Sequence, residues 1–208
     1  MKRFVFLACL LAILLVSPAE AQLRGYPYAP RVRSWRIGLE AGVGVLGSDL
    51  TKESRNYHFR PIANLELAFI AHKNFAFGLY GGGGFMRSTA DDMESNTRFV
   101  GGGVVLELRI PTLRGSVFPI VQLRGGGVII DPELREGRNT FESSSLKYLT
   151  FSGAAGVEVV SWGRLGVRAL FGVTYTNTDK WDLIVRGDDK DGYSFAVLSM
   201  HYYITPRR

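Results

Sequence analysis

Eight separate stretches of this chain alternate apolar residues with small or polar ones, and the non-apolar face is glycine mixed with Glu and Arg. A period of two is the mark of strands. The stretches cover about 35–46, 61–70, 75–86, 98–110, 117–129, 148–160, 165–175 and 193–204. In the first, Trp35, Ile37, Leu39, Ala41, Val43 and Val45 share one face, and Arg36, Gly38, Glu40, Gly42 and Gly44 the other. In the seventh, Leu165, Val167, Ala169, Phe171, Val173 and Tyr175 oppose Gly166, Arg168, Gly172 and Thr174. A soluble β-domain buries its apolar face and shows water polar side chains that are seldom glycine. A lipid-facing barrel does the reverse, and a narrow eight-stranded interior needs small residues to admit long ones. The expectation is an all-β fold: an eight-stranded antiparallel up-and-down transmembrane β-barrel over 35–204. The competing fold, a soluble lipocalin-like barrel, would turn the aliphatic residues inward and leave Glu107 and Arg124 outside.

Connection lengths support the membrane form. Links after odd stretches are long and polar, about 47–60, 87–97, 130–147 and 176–192, whereas 71–74, 111–116 and 161–164 are short. Long outer loops alternating with tight periplasmic turns are the habit of outer-membrane barrels. Both chain ends are then expected in the periplasm. Aromatics should gather at two rims. Trp35, Phe69, Phe75, Phe118, Trp162, Tyr202 and Tyr203 are expected at the periplasmic rim, and Phe85, Phe99, Tyr148, Phe151, Tyr175 and Tyr193 at the outer one.

The beginning of the chain agrees. Lys2 and Arg3 precede an apolar run over 4–16, then Ser17, Pro18 and an Ala19-Glu20-Ala21 cleavage site. Residues 1–21 read as a cleaved signal peptide, too short to span a bilayer. Cys9 is the only cysteine and would leave with it, so no disulfide is expected. Residues 22–34, with Pro27, Pro30 and three arginines, read as a periplasmic lead-in, and 205–208 as a periplasmic tail. Removing Lys2, Arg3 and Glu20 takes the net charge from +6 to +5. No basic stripe with interleaved aromatics accompanies that excess, so no nucleic acid is expected as a partner.

Across 35–204 the chain resembles the OmpA-like and OmpX-like small outer-membrane barrels. The resemblance rests on Gly78-Leu79-Tyr80-Gly81-Gly82-Gly83, Gly153-Ala154-Ala155-Gly156-Val157-Glu158 and Gly166-Val167-Arg168-Ala169. The last stretch, Leu198-Ser199-Met200-His201-Tyr202-Tyr203-Ile204, is similar to the signal read by the barrel-assembly machinery, with Ile204 where a terminal aromatic is usual. The resemblance implies location in the bacterial outer membrane, and as partners its lipids and lipopolysaccharide, the assembly machinery, and an extracellular ligand at the loops. The peptidoglycan-binding domain of many OmpA-like relatives is not expected.

Parity places Arg36, Glu40, Glu66, Glu107, Arg109, Arg124, Glu158 and Arg168 inside the barrel. Charges taken from bulk water persist when paired and hydrogen-bonded, so a plugging ion network is expected, with Glu158–Arg168 as its first pair. The glycine runs 81–84, 101–103 and 125–127 lack the Lys-Ser/Thr and helix of a nucleotide loop and belong to strands. Catalysis would need a nucleophile and base in contact. Ser199 and His201 share a face two residues apart, about 7 Å between Cβ atoms, which speaks against a direct hydrogen bond. His72 falls in a turn, and His58 in the first outer loop with Ser88, Asp91 and Asp92 in the second. Asp188, Asp189 and Asp191 lack the spacing of a calcium loop, and Arg186-Gly187-Asp188 is a chance tripeptide. No catalytic, cofactor-binding or metal-binding residue is therefore assigned. The expected role is structural or surface-interacting, through extracellular loops; a lipid A-modifying enzyme or a small pore is the alternative.

Overall fold

The computed structural model describes residues 32–47, 56–90, 93–110, 117–136, 139–142, 144–161, 164–178, 181 and 191–204. Among them are nine strands and no helix: β1 (Ser34–Gly47), β2 (Arg60–His72), β3 (Phe75–Ala90), β4 (Met93–Arg109), β5 (Val117–Glu136), β6 (Asn139–Glu142), β7 (Leu146–Ser161), β8 (Leu165–Thr176) and β9 (Gly192–Ile204). The sheet runs β4-β3-β2-β1-β9-β8-β7-β5, and a further β4–β5 pairing closes it into a barrel of eight strands. Short β6 pairs with the end of β5 and takes no part in the closure. The signal-peptide, lead-in and tail assignments lie outside the described residues, apart from Val32 to Ser34, as do Asp91, Asp92, Trp162, Asp188 and Asp189.

Closure sets the barrel's dimensions. From Arg36, the ladder partners run through Ala68, Gly78, Val105, Arg124, Ser152, Thr174 and Tyr193 and return to β1 at Leu46, ten residues further along. Eight strands at that stagger tilt by about 40° and enclose a lumen about 8 Å in radius to the backbone. That width holds side chains and little else. Closure also pairs every wall strand on both sides, which a sheet in hydrocarbon must achieve.

The solvent preference of the two faces is inverted. Leu39, Leu65, Leu79, Leu123, Leu198 and Met200 stand outward at 57–66 % exposure, while Arg36, Glu40, Glu158 and Arg168 are fully buried within. This excludes the soluble arrangement. In water the outer face would be a very large apolar patch; against hydrocarbon it is the matched surface.

Two expectations need correction. The links 87–97 and 130–147 are mostly strand, not loop: β3 and β4 stay paired up to Ala90↔Met93, and β5 runs on to Glu136. The apolar outer face stops near Phe85 and Val100, so the hydrophobic period ends while backbone pairing continues through Arg87, Glu94, Asn96, Arg98 and Asp131. The aromatic rims are only partly formed. At the lower end, where Trp35 pairs with Ile204, Trp35, Phe69, Phe77 and Phe75 make a continuous outer cluster with ring centroids 5.2, 5.8 and 6.2 Å apart. Phe85, Phe151 and Tyr175 stand outward near the top. Phe118 and Tyr203 are instead buried in the lumen, and Phe99, Tyr148 and Tyr193 pack against its apolar core. Each has the parity of the inward residues on its strand, and parity outranks position along the strand.

Candidate functional site

Four acids and four bases meet in the middle of the lumen, as their parity requires. Glu107 is the hub. Its carboxylate accepts two hydrogen bonds from Arg36, at 2.7 and 2.8 Å, and one from Arg109 Nε at 2.7 Å. Arg168 Nη2 lies 2.9 Å from the same group. The expected Glu158–Arg168 pair forms at 3.3 Å between ladder partners. Glu158 also accepts a hydrogen bond from the Tyr203 hydroxyl and lies 3.3 Å from Arg109. Glu66 accepts from Arg36 and, at 2.9 Å, from Gln122. Arg124 donates to Glu40 at 2.6 and 2.8 Å, and its guanidinium lies over the Tyr80 ring at 5.1 Å. The eight formal charges cancel. In this setting the strong, charge-assisted bonds hold together a layer that closes the barrel across its width.

Glycine makes the layer possible. A Cβ on Gly38 would lie 2.4 Å from His201 Nδ1, so the imidazole occupies the space a side chain on β1 would need. His201 also overturns an expectation. Its Nε2 is 2.7 Å from Ser199 Oγ. The Cβ spacing of a strand repeat holds, but it does not count the length of the imidazole. The ring spans the gap to the short serine hydroxyl. The pair is 2 % and 1 % exposed, inside the closed lumen.

A second closure sits above the ionic layer. Trp181, in the link between β8 and β9, is fully buried among Leu46, Met86, Ile130 and Phe195. Its ring lies 5.5 Å from Phe99 and 5.7 Å from Tyr193. Its amide donates to Asp191 Oδ2 at 2.9 Å, its indole N–H donates to Thr176 Oγ1 at 3.1 Å, and its carbonyl accepts from the Thr97 hydroxyl. Asp191, considered above for a cation, is thus engaged in seating this side chain. Between the two closures a space of about 30 Å³ remains, bordered by Asn64, Tyr80, Arg124, Ser152, Thr174 and Tyr193. No periodic pattern marks Trp181. Its signal is the one aromatic of the link, followed by the apolar run Leu183-Ile184-Val185 in a stretch otherwise polar. Tyr203 was detectable by parity with Ser199 and His201.

The candidate loop set is not brought together in the described residues. His58 Nε2 lies 2.8 Å from Thr89 Oγ1, while Ser88 is buried on the opposite face of β3. Desolvation, with Arg87 and Arg60 close by, holds the His58 imidazole below its ordinary pKa of 6.5. His72 is the last residue of β2, at the turn to β3, where its Nδ1 accepts from the Asn74 amide at 3.3 Å. Above the apolar belt, β3, β4, β5 and β6 form a projecting sheet. Arg87–Glu94 at 2.7 Å and Arg135–Glu133 at 2.6 Å pair across its polar surface.

No protein-family model matches the sequence, nor does any curated protein. Solved structures do. The Neisserial surface protein NspA aligns with 81 % of this chain and 96 % of its own, at TM-score 0.55 and 10 % identity. The attachment invasion locus protein Ail of Yersinia pestis, solved with a heparin analogue, aligns with 84 % of this chain and all of its own, at TM-score 0.54 and 10 % identity. A major outer membrane protein of Thermus thermophilus aligns with 82 % and 99 %, at 0.51 and 10 %. At such identities the likeness concerns the fold. Closed topology, an apolar exterior and a charged, plugged interior agree with it: the chain has the fold of the small eight-stranded outer-membrane β-barrels.

Proposed function

We propose that this protein is an integral protein of the bacterial outer membrane, exported by its N-terminal signal, with both ends in the periplasm and a surface-interaction role at its outer end. The observation that carries this reading is the projecting sheet. Three wall strands continue beyond the apolar belt, and β6 extends them with an edge that pairs with no other described strand. A sheet edge in water is a template for an added strand. Soluble edges are usually blunted, yet here Phe141 is half exposed at that edge. The Yersinia relative is named for attachment and invasion, which accords with this reading.

The plugged lumen supports the platform reading over the pore. The ionic layer and Trp181 leave no continuous channel among the described residues, so reconstituted protein should carry no single-channel current beyond leak. Ser199 and His201 make a nucleophile–base contact, but in a closed lumen that a lipid does not enter. His58 and His201 substitutions should leave lipid A masses unchanged. The main test is adhesion. Cells displaying the wild-type protein are compared with cells in which residues 133–142 are replaced by a tight turn. Barrel content is checked by heat-dependent gel mobility. Binding to immobilised host matrix proteins should fall to the level of cells lacking the protein; full binding without the projection refutes the role.

A further inference from the structure

The outer wall bears a groove of about 650 Å³, lined by Val100, Gly102, Gly127, Ile129, Lys147 and Leu149. Its floor is set by register. Gly81, Gly102 and Gly127 are successive ladder partners on β3, β4 and β5, with Leu65 and Leu149 continuing the row on either side. In the row above, Val100, Ile129 and Lys147 are partners, and above them Arg98 pairs with Asp131.

Packing of the sheet does not account for all of this hollow. A Cβ at Gly103 or Gly126, both inward, would lie 2.1 and 2.2 Å from a backbone oxygen, so those positions admit glycine alone. A Cβ at Gly127 or Gly81, both outward, would meet nothing nearer than 3.8 Å, whereas at Gly102 between them it would lie 2.8 Å from Tyr80 O. The neighbouring wall carries Leu, Val and Phe, and Gly127 and Gly81 could carry them too. The hollow is apolar along its length and cationic at its upper end, where the outer face turns polar. Arg98 leans over the Phe85 ring at 6.0 Å on that upper border. Counting Arg98, Lys147 and Asp131, the border has one net positive charge.

We propose that this groove is a binding site for a phosphate-bearing lipid of the surrounding leaflet, with an acyl chain along Gly102 and Gly127 and the phosphate at Lys147. The apolar floor and the charge at its upper end match an amphiphile with its chain against the wall and its head at the level of the cation. A second copy of the chain matches less well. A two-fold contact would set groove against groove and Lys147 towards its own mate, filling neither hollow. The proposal rests on the reading of the wall as lipid-facing.

Native mass spectrometry of the full-length barrel in detergent, titrated with phosphatidylglycerol or phosphatidylcholine of identical chains, tests it. Wild type should retain phosphatidylglycerol about fivefold better than phosphatidylcholine, the factor one lysine supplies at an anionic lipid surface. Gly127→Leu fills the groove where the sheet has room, and should lose retention of both lipids while keeping heat-dependent gel mobility. Lys147→Gln should retain both lipids equally. Wild-type retention by Gly127→Leu overturns the site. So does equal retention of the two lipids by wild type, or a lipid-free dimer that Gly127→Leu dissolves. Failure of the wall reading shows separately, as a wild-type chain that stays soluble without detergent.

Discussion

Neutralising Glu107 tests whether the lumen is a dry ionic plug. Glu107→Gln keeps the shape of the side chain and removes its charge. Glu107 is 1 % exposed and contacts three arginines, Arg36, Arg109 and Arg168, at 2.7 to 2.9 Å. After the change the layer carries one net positive charge, and the new amide turns donors towards guanidinium donors. Removing one member of a buried pair costs about 3–5 kcal/mol, because the other charge stays desolvated. The control is Arg135→Gln. Arg135 meets Glu133 at 2.6 Å, but the two side chains are 57 % and 30 % exposed, and such a pair contributes less than about 1 kcal/mol. Guanidinium unfolding of vesicle-inserted protein, followed by tryptophan fluorescence, measures both. Glu107→Gln should lose about 3–5 kcal/mol, and adding Arg109→Gln should recover part of that by restoring neutrality. Equal, small losses for Glu107→Gln and Arg135→Gln would mean that water reaches the layer, and the plug would be refuted.

Trp181→Ala should cost about 3–5 kcal/mol, the usual loss for a buried tryptophan, yet remain silent in planar bilayers because the ionic layer below still closes the lumen; current steps in that variant alone would sink the two-closure account. In NMR titrations His58 should protonate below the ordinary 6.5, and Arg87→Gln should raise the midpoint by removing a neighbouring positive charge. The native state takes up this proton less readily than the unfolded chain, so any contribution to stability is present above pH 6.5 and lost as pH falls through the depressed value. Gly103→Ala should fail to give heat-modifiable barrel, since its Cβ would lie 2.1 Å from Gly125 O, while Gly127→Ala should fold normally; equal yields would count against the close strand approach.

Much of this barrel is legible because a strand's two faces meet two solvents, and each residue's parity reports its face. Arg36, Glu66 and Arg168 were placed inside on that ground alone. Pairing is harder to read. Glu158–Arg168 was accessible because the two are ladder neighbours across a short turn. Arg36–Glu107 was not: they stand 71 residues apart and meet across the lumen, through a stagger that only closure fixes. The upper ends of β3, β4 and β5 were missed for a different reason. Their pairing persists in water, where no apolar period marks it. Trp181 was missed because a single residue in an irregular link has no period.

The distribution of the buried charges along the chain bears on how the barrel comes together. β1 to β4 contribute Glu40, Glu66 and Glu107 against Arg36 and Arg109, and β5 to β9 contribute Arg124 and Arg168 against Glu158. One half of the molecule is short of a positive charge and the other short of a negative one. Neither half, entering hydrocarbon by itself, could neutralise its own interior, and Glu40 in the first half finds Arg124 only in the second. Insertion is therefore favourable once both seams, β4–β5 and β1–β9, have met. Arrested assembly should leave two mutually attracting halves at the membrane surface, and no half-barrel within it.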